Sequence, residues 1–144
     1  MAGGNNRPLI VWSKALVFIA FVNLLQVIGR LSFAILGLNG GIDQFLDVPV
    51  SLSTATFLHF MFFALGIAGG IALLGLFTKQ SWAFSALILV SLMTIGFDIW
   101  GCTIQFTAAM GLVVPVLSLL YLLIQKEYLA QGLNNLQKGI GHGT

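Results

Sequence analysis

Six side chains combine reactive chemistry with a spacing that lets them meet: Asn23, Gln26, Arg30, His59, Asp98 and Gln105. Arg30 leads, as a fixed positive charge in a run from Ala15 to Leu38 that is otherwise uncharged and mostly apolar. A guanidinium does not shed its proton in a protein, so it must reach water or find partners inside the fold. Asn23, Gln26 and Arg30 follow i, i+3, i+7 spacing and share one helix face. Unpaired amides are costly in hydrocarbon, so this face is expected to point at other helices. Arg30 lies ~12 Å below Leu38 and His59 ~8 Å from the start of its own apolar run, at ~1.5 Å per residue. Asp98 closes a third run, and Thr103 and Gln105 open a fourth. Arg30, His59, Asp98 and Gln105 therefore reach a similar depth from four different segments. Asp98 is the natural counter-ion of Arg30, with Asp43 or Asp47 as substitutes if the intervening loop folds over.

Two chemistries suit this constellation. In the first, an Arg–Asp pair ties helices together and His59 satisfies its ring against the same cluster. In the second, the cluster lines a pocket for a ligand with a polar head and an apolar body, such as a quinone or a lipid. Arg30 would then bind an oxygen, His59 relay a proton and Asp98 orient either. Haem fits poorly, because bis-His ligation needs a second intramembrane histidine and His142 lies in the tail. Met61 or Met93, or a haem shared between subunits, would be the remaining route. No metal site is expected, since one span histidine, one cysteine and scattered methionines make no ligand spacing. Cys102 is the only cysteine, which excludes an internal disulfide and a CxxC motif. The chain has no P-loop, no serine-nucleophile motif and no paired carboxylates. Ser13, Ser32, Ser85, Ser91 and Ser118 read as packing or backbone-bonding residues. No Lys/Arg cluster is present to track nucleic-acid phosphates.

The elements that position these residues are membrane spans. Hydrophobic residues make up 58% of the chain and charged ones 7%, against roughly a quarter charged in a soluble domain. A helix crosses the hydrocarbon core with ~20 apolar residues, and four stretches qualify: about 10–38, 54–78, 81–100 and 104–124. Period-2 alternation is missing, which excludes a β-barrel. The first run exceeds a signal-peptide core of ~7–15 residues and no Ala-x-Ala site follows, so it is read as a retained helix. The fold class is all-α: one polytopic four-helix transmembrane domain over 1–144, with a short C-terminal interfacial helix.

Charge sets the expected orientation. Arg7, Lys14, Lys79, Lys126 and Lys138 all fall on one side, and Asp43, Asp47 and Asp98 on the other. The positive-inside rule then makes both termini cytoplasmic, in a cell inner (plasma) membrane. Trp12 and Trp82 fall at the inner interface and Trp100 at the outer one. The turn Thr78-Lys79-Gln80 forces a hairpin. The longer connection 39–53 opens with Asn39-Gly40-Gly41 and contains Pro49. Its apolar residues predict that it lies along the interface or folds back over the bundle. Over 125–141, Leu129, Leu133, Leu136 and Ile140 recur at helical spacing, predicting an amphipathic helix on the membrane surface. Gly66 and Gly70 form a GxxxG pair with Gly69 beside them, read as internal helix packing ahead of a dimer face. Pro115 predicts a kink in the fourth span.

The segment Arg30-Leu-Ser-Phe-Ala-Ile-Leu-Gly-Leu-Asn-Gly-Gly-Ile-Asp resembles the arginine-led first helix of the DoxX-like family of small four-helix membrane proteins. Gly66-Ile-Ala-Gly-Gly-Ile-Ala-Leu-Leu-Gly-Leu-Phe-Thr-Lys resembles that family's glycine-rich second helix and its Gly-Leu-x-Thr-basic turn. Asp43-Gln44 stands where the family often has a lysine, so only Arg30 and the Gly75–Lys79 turn carry over. The family includes a membrane subunit of a thiosulfate:quinone oxidoreductase, so the resemblance implies a quinone-linked or accessory role. The expected function is a non-catalytic or accessory membrane subunit, with the quinone or lipid pocket at the Arg30 cluster. A quinone-linked oxidoreductase subunit and a small oligomeric transporter are the alternatives. Expected partners are the lipid bilayer and either further copies of the chain or a larger membrane complex.

Overall fold

The computed structural model describes residues 13–38 and 46–125. Trp12, Asp43 and nearly all of the expected surface helix at 125–141 lie outside the described residues. Four helices are long and apolar enough to cross a membrane: α1 (Lys14–Leu38), α2 (Leu52–Phe77), α3 (Ala83–Cys102) and α4 (Phe106–Gln125). Among the described residues there is no strand. The bounds of α2, α3 and α4 fall within two residues of the hydropathy boundaries, and local hydrogen bonding explains the shifts at α2. Its start moves back to Leu52 because Ser51 caps it, accepting from the Thr54 N–H at 3.3 Å.

The far end of α2 closes as a Schellman motif. The Gln80 N–H donates to the Gly75 carbonyl (2.8 Å) and the Lys79 N–H to the Leu76 carbonyl (3.0 Å). The motif places Lys79 in the left-handed region at φ 56°, a position that glycine usually fills because a Cβ is strained there. Lys79→Gly should therefore raise unfolding stability by about 0.5–1 kcal/mol. Equilibrium unfolding in a fixed detergent would check this, and a loss of stability would contradict it.

Successive helices pack as neighbours, α1 on α2, α2 on α3 and α3 on the start of α4. The ring closes where α4 returns to α1. Ser13 Oγ and the Tyr121 hydroxyl share a hydrogen bond at 2.7 Å, and Asn23 Nδ2 donates to Ser118 Oγ at 2.6 Å. Close approach of α1 and α2 rests on Gly66 and Gly69. A Cβ built on Gly66 would meet Leu31 Cδ2 at 2.7 Å, and one on Gly69 would meet Val27 Cγ2 at 2.8 Å. Gly70 is looser, with Val27 Cγ1 at 3.8 Å. The tightest small-residue pair is thus Gly66/Gly69, one residue off the GxxxG spacing, and it faces inside the bundle.

The interior is layered along its length. One apolar layer gathers Leu16, Ala20, Leu73, Leu76, Leu87 and Leu122, and the other Leu58, Leu65 and Phe97. Between and beside them lie buried polar residues: Asn23, Arg30, Ser91, Thr94, Asp98 and Ser118. Large apolar side chains, including Phe18, Phe60, Leu74 and Leu89, cover the outside. That distribution suits a surface solvated by lipid.

Pro115 acts through helix type. Residues Phe106–Leu112 form a 3-10 helix, and α-helical geometry begins at residue 113. Pro115 then sits in the first α-helical turn, where a missing N–H costs least.

Candidate functional site

Two parallel polar stripes build the site. Asn23, Gln26 and Arg30 lie on α1, and Ser91, Thr94 and Asp98 repeat the same i, i+3, i+7 spacing on α3. The charged members meet. Arg30 Nη2 donates to both carboxylate oxygens of Asp98, each at 2.9 Å, and both residues are buried. One nitrogen thus serves both oxygens, in place of the parallel two-nitrogen fork that gives arginine its strongest carboxylate geometry. Nη1 is buried without a hydrogen-bond partner among the described residues.

Aromatic rings enclose the guanidinium. Its Cζ stands 5.9 Å from the Phe62 centroid and 5.8 Å from that of Phe97, both within cation–π range. Those rings meet edge-on at 5.4 Å, Phe33 stacks on Phe62 at 5.6 Å, and Phe97 continues to Trp100 at 5.9 Å. On the carboxylate side, a Cβ at Gly111 would stand 3.0 Å from Asp98 Oδ2. Glycine there lets the α4 backbone close over the ion pair.

The amides on α1 are spent on α4. Asn23 Nδ2 donates to the Ile19 carbonyl (2.8 Å) as well as to Ser118, whose hydroxyl in turn donates to the Val114 carbonyl (2.8 Å). Gln26 Nε2 donates to the Gly111 carbonyl at 3.1 Å. That carbonyl belongs to the residue four before Pro115, the one a proline cannot serve as donor. Gln26 thus supplies a donor to a carbonyl that Pro115 cannot serve, as an apolar interior requires.

Gln105 and His59 do not join the ion pair. Gln105 Oε1 accepts from the N–H groups of Asp47 (2.6 Å) and Val48 (3.2 Å), and Nε2 donates to the Val48 carbonyl (2.7 Å). It clamps the segment before α2 onto the end of the bundle, where Leu46 packs against Leu58, Leu65 and Phe97. Asp47 accepts from the Thr107 N–H at 3.3 Å rather than replacing Asp98 as the counter-ion. His59 Nδ1 is buried without a partner among the described residues, so His59 is not satisfied against the Arg30 cluster as the structural reading expected. Gln105→Ala should release protection of the Val48 amide in hydrogen exchange while leaving the Arg30–Asp98 pair intact. Unchanged exchange at Val48 would show that other contacts hold the segment.

Ser91, Thr94 and Ser118 are site residues that sequence reasoning passed over or read only as packing. The repeated spacing of Ser91, Thr94 and Asp98 was the signal available. Ser91 and Thr94, with Asn23, Gln26, Arg30 and Pro115, line a cavity of about 20 Å³. Pockets for organic ligands are roughly 300–1,000 Å³, so a quinone ring could enter only if the helices separated. Among the described residues no three His, Cys, Asp or Glu side chains cluster as a metal site. Compared with known proteins, the chain matches no family model, and no curated protein or solved structure is detectably similar to it.

Proposed function

We propose that this chain is a non-catalytic accessory subunit of a membrane complex, in which the Arg30–Asp98 pair is a structural tie. The observation that carries this reading is the closure of the polar site. The charges of its buried ion pair neutralise each other, the amide nitrogens of Asn23 and Gln26 already donate to Ser118 and to the Gly111 carbonyl on α4, and the adjoining cavity is too small for an organic substrate. A site for an organic substrate needs a concave opening large enough to admit it, and the Arg30 layer offers none of that size.

The proposal includes a cell inner membrane with both termini cytoplasmic. Lys14 and Lys79 stand at one end of the bundle and Asp47 at the other, in keeping with the positive-inside rule. It also includes DoxX-like kinship through Arg30 and the Gly75–Lys79 turn. Purification from native membranes in mild detergent, followed by native mass spectrometry, tests the function. Retention of a stoichiometric protein partner is expected. A chain that purifies alone with a stoichiometric quinone or coloured cofactor would overturn the accessory reading.

A further inference from the structure

We propose that the cavity beside the ion pair is a binding site for one water molecule, which bridges Arg30 to the polar stripe of α1 and the hydroxyls of α3. The volume of about 20 Å³ exceeds the ~10–15 Å³ that one water requires and falls short of two. Size alone would not suffice, because apolar cavities of this kind stay dry and a buried water needs 2–4 polar partners. This cavity supplies them: Arg30, Asn23, Gln26, Ser91 and Thr94 all line it.

The donor and acceptor inventory fits a water in particular. Arg30 lines the cavity, is more than nine-tenths buried, and brings only donors to it. A guanidinium cannot accept, and its N–H groups remain charged. Asn23 and Gln26 make their hydrogen bonds through Nδ2 and Nε2, and their amide oxygens are acceptors. The Ser91 and Thr94 hydroxyls both donate and accept. The occupant must therefore accept from the guanidinium and donate to amide oxygens. Water does both, whereas an anion only accepts. Charge points the same way, because Asp98 already neutralises Arg30 at 2.9 Å and leaves no net charge to draw an anion into a low-dielectric interior.

The water has a structural consequence. With it, Arg30 is tied to the α1 amides and the α3 hydroxyls as well as to Asp98, and α1 is joined to α3 at two levels.

Water-edited solid-state NMR on the full chain in lipid bilayers tests the site. Arg7 and Arg30 are the only arginines, so ¹⁵N-arginine labelling gives two side-chain sets, and Arg7→Lys assigns the remaining one to Arg30. Transfer from water protons to the Arg30 Nη signal is expected in the native protein. Thr94→Ile, which fills the cavity, should abolish that transfer while leaving the Arg30 signal present. Absence of transfer in the native protein would overturn the proposal without any variant. Two other results would do the same: transfer unchanged in a folded Thr94→Ile protein, or an Arg30 shift that titrates with bromide, which would make the occupant an anion.

Discussion

Asp98→Ala should destabilise the bundle by about 3–5 kcal/mol, the cost of leaving a buried charge without its partner. Arg30 then keeps a full positive charge between two phenylalanine rings, with Nη1 already lacking a partner among the described residues. Arg30→Met should cost less, because methionine fills part of the space and the remaining carboxylic acid can take up a proton. The Arg30→Met/Asp98→Leu double variant should recover most of the loss, since replacing a whole buried pair with apolar residues is often neutral or stabilising. Steric-trap or denaturant unfolding in bicelles would complete the cycle, with strong coupling between the two sites as the expected result. Additive losses would mean that the two residues act apart. This experiment also bears on the proposed accessory role: a structural tie predicts that the recovered double variant co-purifies with whatever protein the native chain retains.

Gly69→Leu is expected to be the most damaging change in the α1–α2 seam, at about 3 kcal/mol by overpacking. A Cβ on Gly69 would already stand 2.8 Å from Val27 Cγ2, and valine in a helix has one strongly favoured rotamer and cannot swing aside. Gly66 faces a similar distance, but the atoms it meets are the flexible tip of Leu31, so Gly66→Ala should be milder. Gly70→Ala, with its nearest contact at 3.8 Å, should be close to neutral and serves as the control. Combining Gly69→Leu with Val27→Ala should return part of the stability. Thermal melts of the four variants would rank them. A loss at Gly70 equal to that at Gly69 would place the tight contact elsewhere.

The spans were legible because crossing a membrane demands length and apolarity together, and few registers satisfy both. The Arg30–Asp98 pair was legible for a similar reason, as Asp98 is the only acidic residue within any span. Gln105 was misplaced because depth does not give direction. At the mouth of a helix, an amide can turn inward to a charge or outward to exposed backbone, and two orphan N–H groups at Asp47 and Val48 draw it outward. Ser91 was read as a packing or backbone-bonding residue and Thr94 was passed over, because hydroxyls in apolar helices commonly bond their own backbone. The Gly66/Gly69 contact departed from the GxxxG spacing because the deciding neighbour is Val27 on α1, which no pattern within α2 contains. The Gln26 bond to Gly111 combines Pro115 with a glutamine 89 residues earlier, and nothing local links the two.

The separations between the α1 polar side chains and their partners set an order of biogenesis. Arg30 waits 68 residues for Asp98, Gln26 waits 85 for Gly111 and Asn23 waits 95 for Ser118. During synthesis α1 must therefore enter the bilayer before the interhelical partners of its arginine and its two amides exist. A lone helix of that kind inserts poorly, because a central arginine costs ~2.5–3.5 kcal/mol on insertion scales. Asp98 arrives with α3, and the partners of Gln26 and Asn23 arrive only with α4. A chain halted after α2 would thus be a natural target for membrane quality control, and completion of α4 would be the event that licenses the protein to persist.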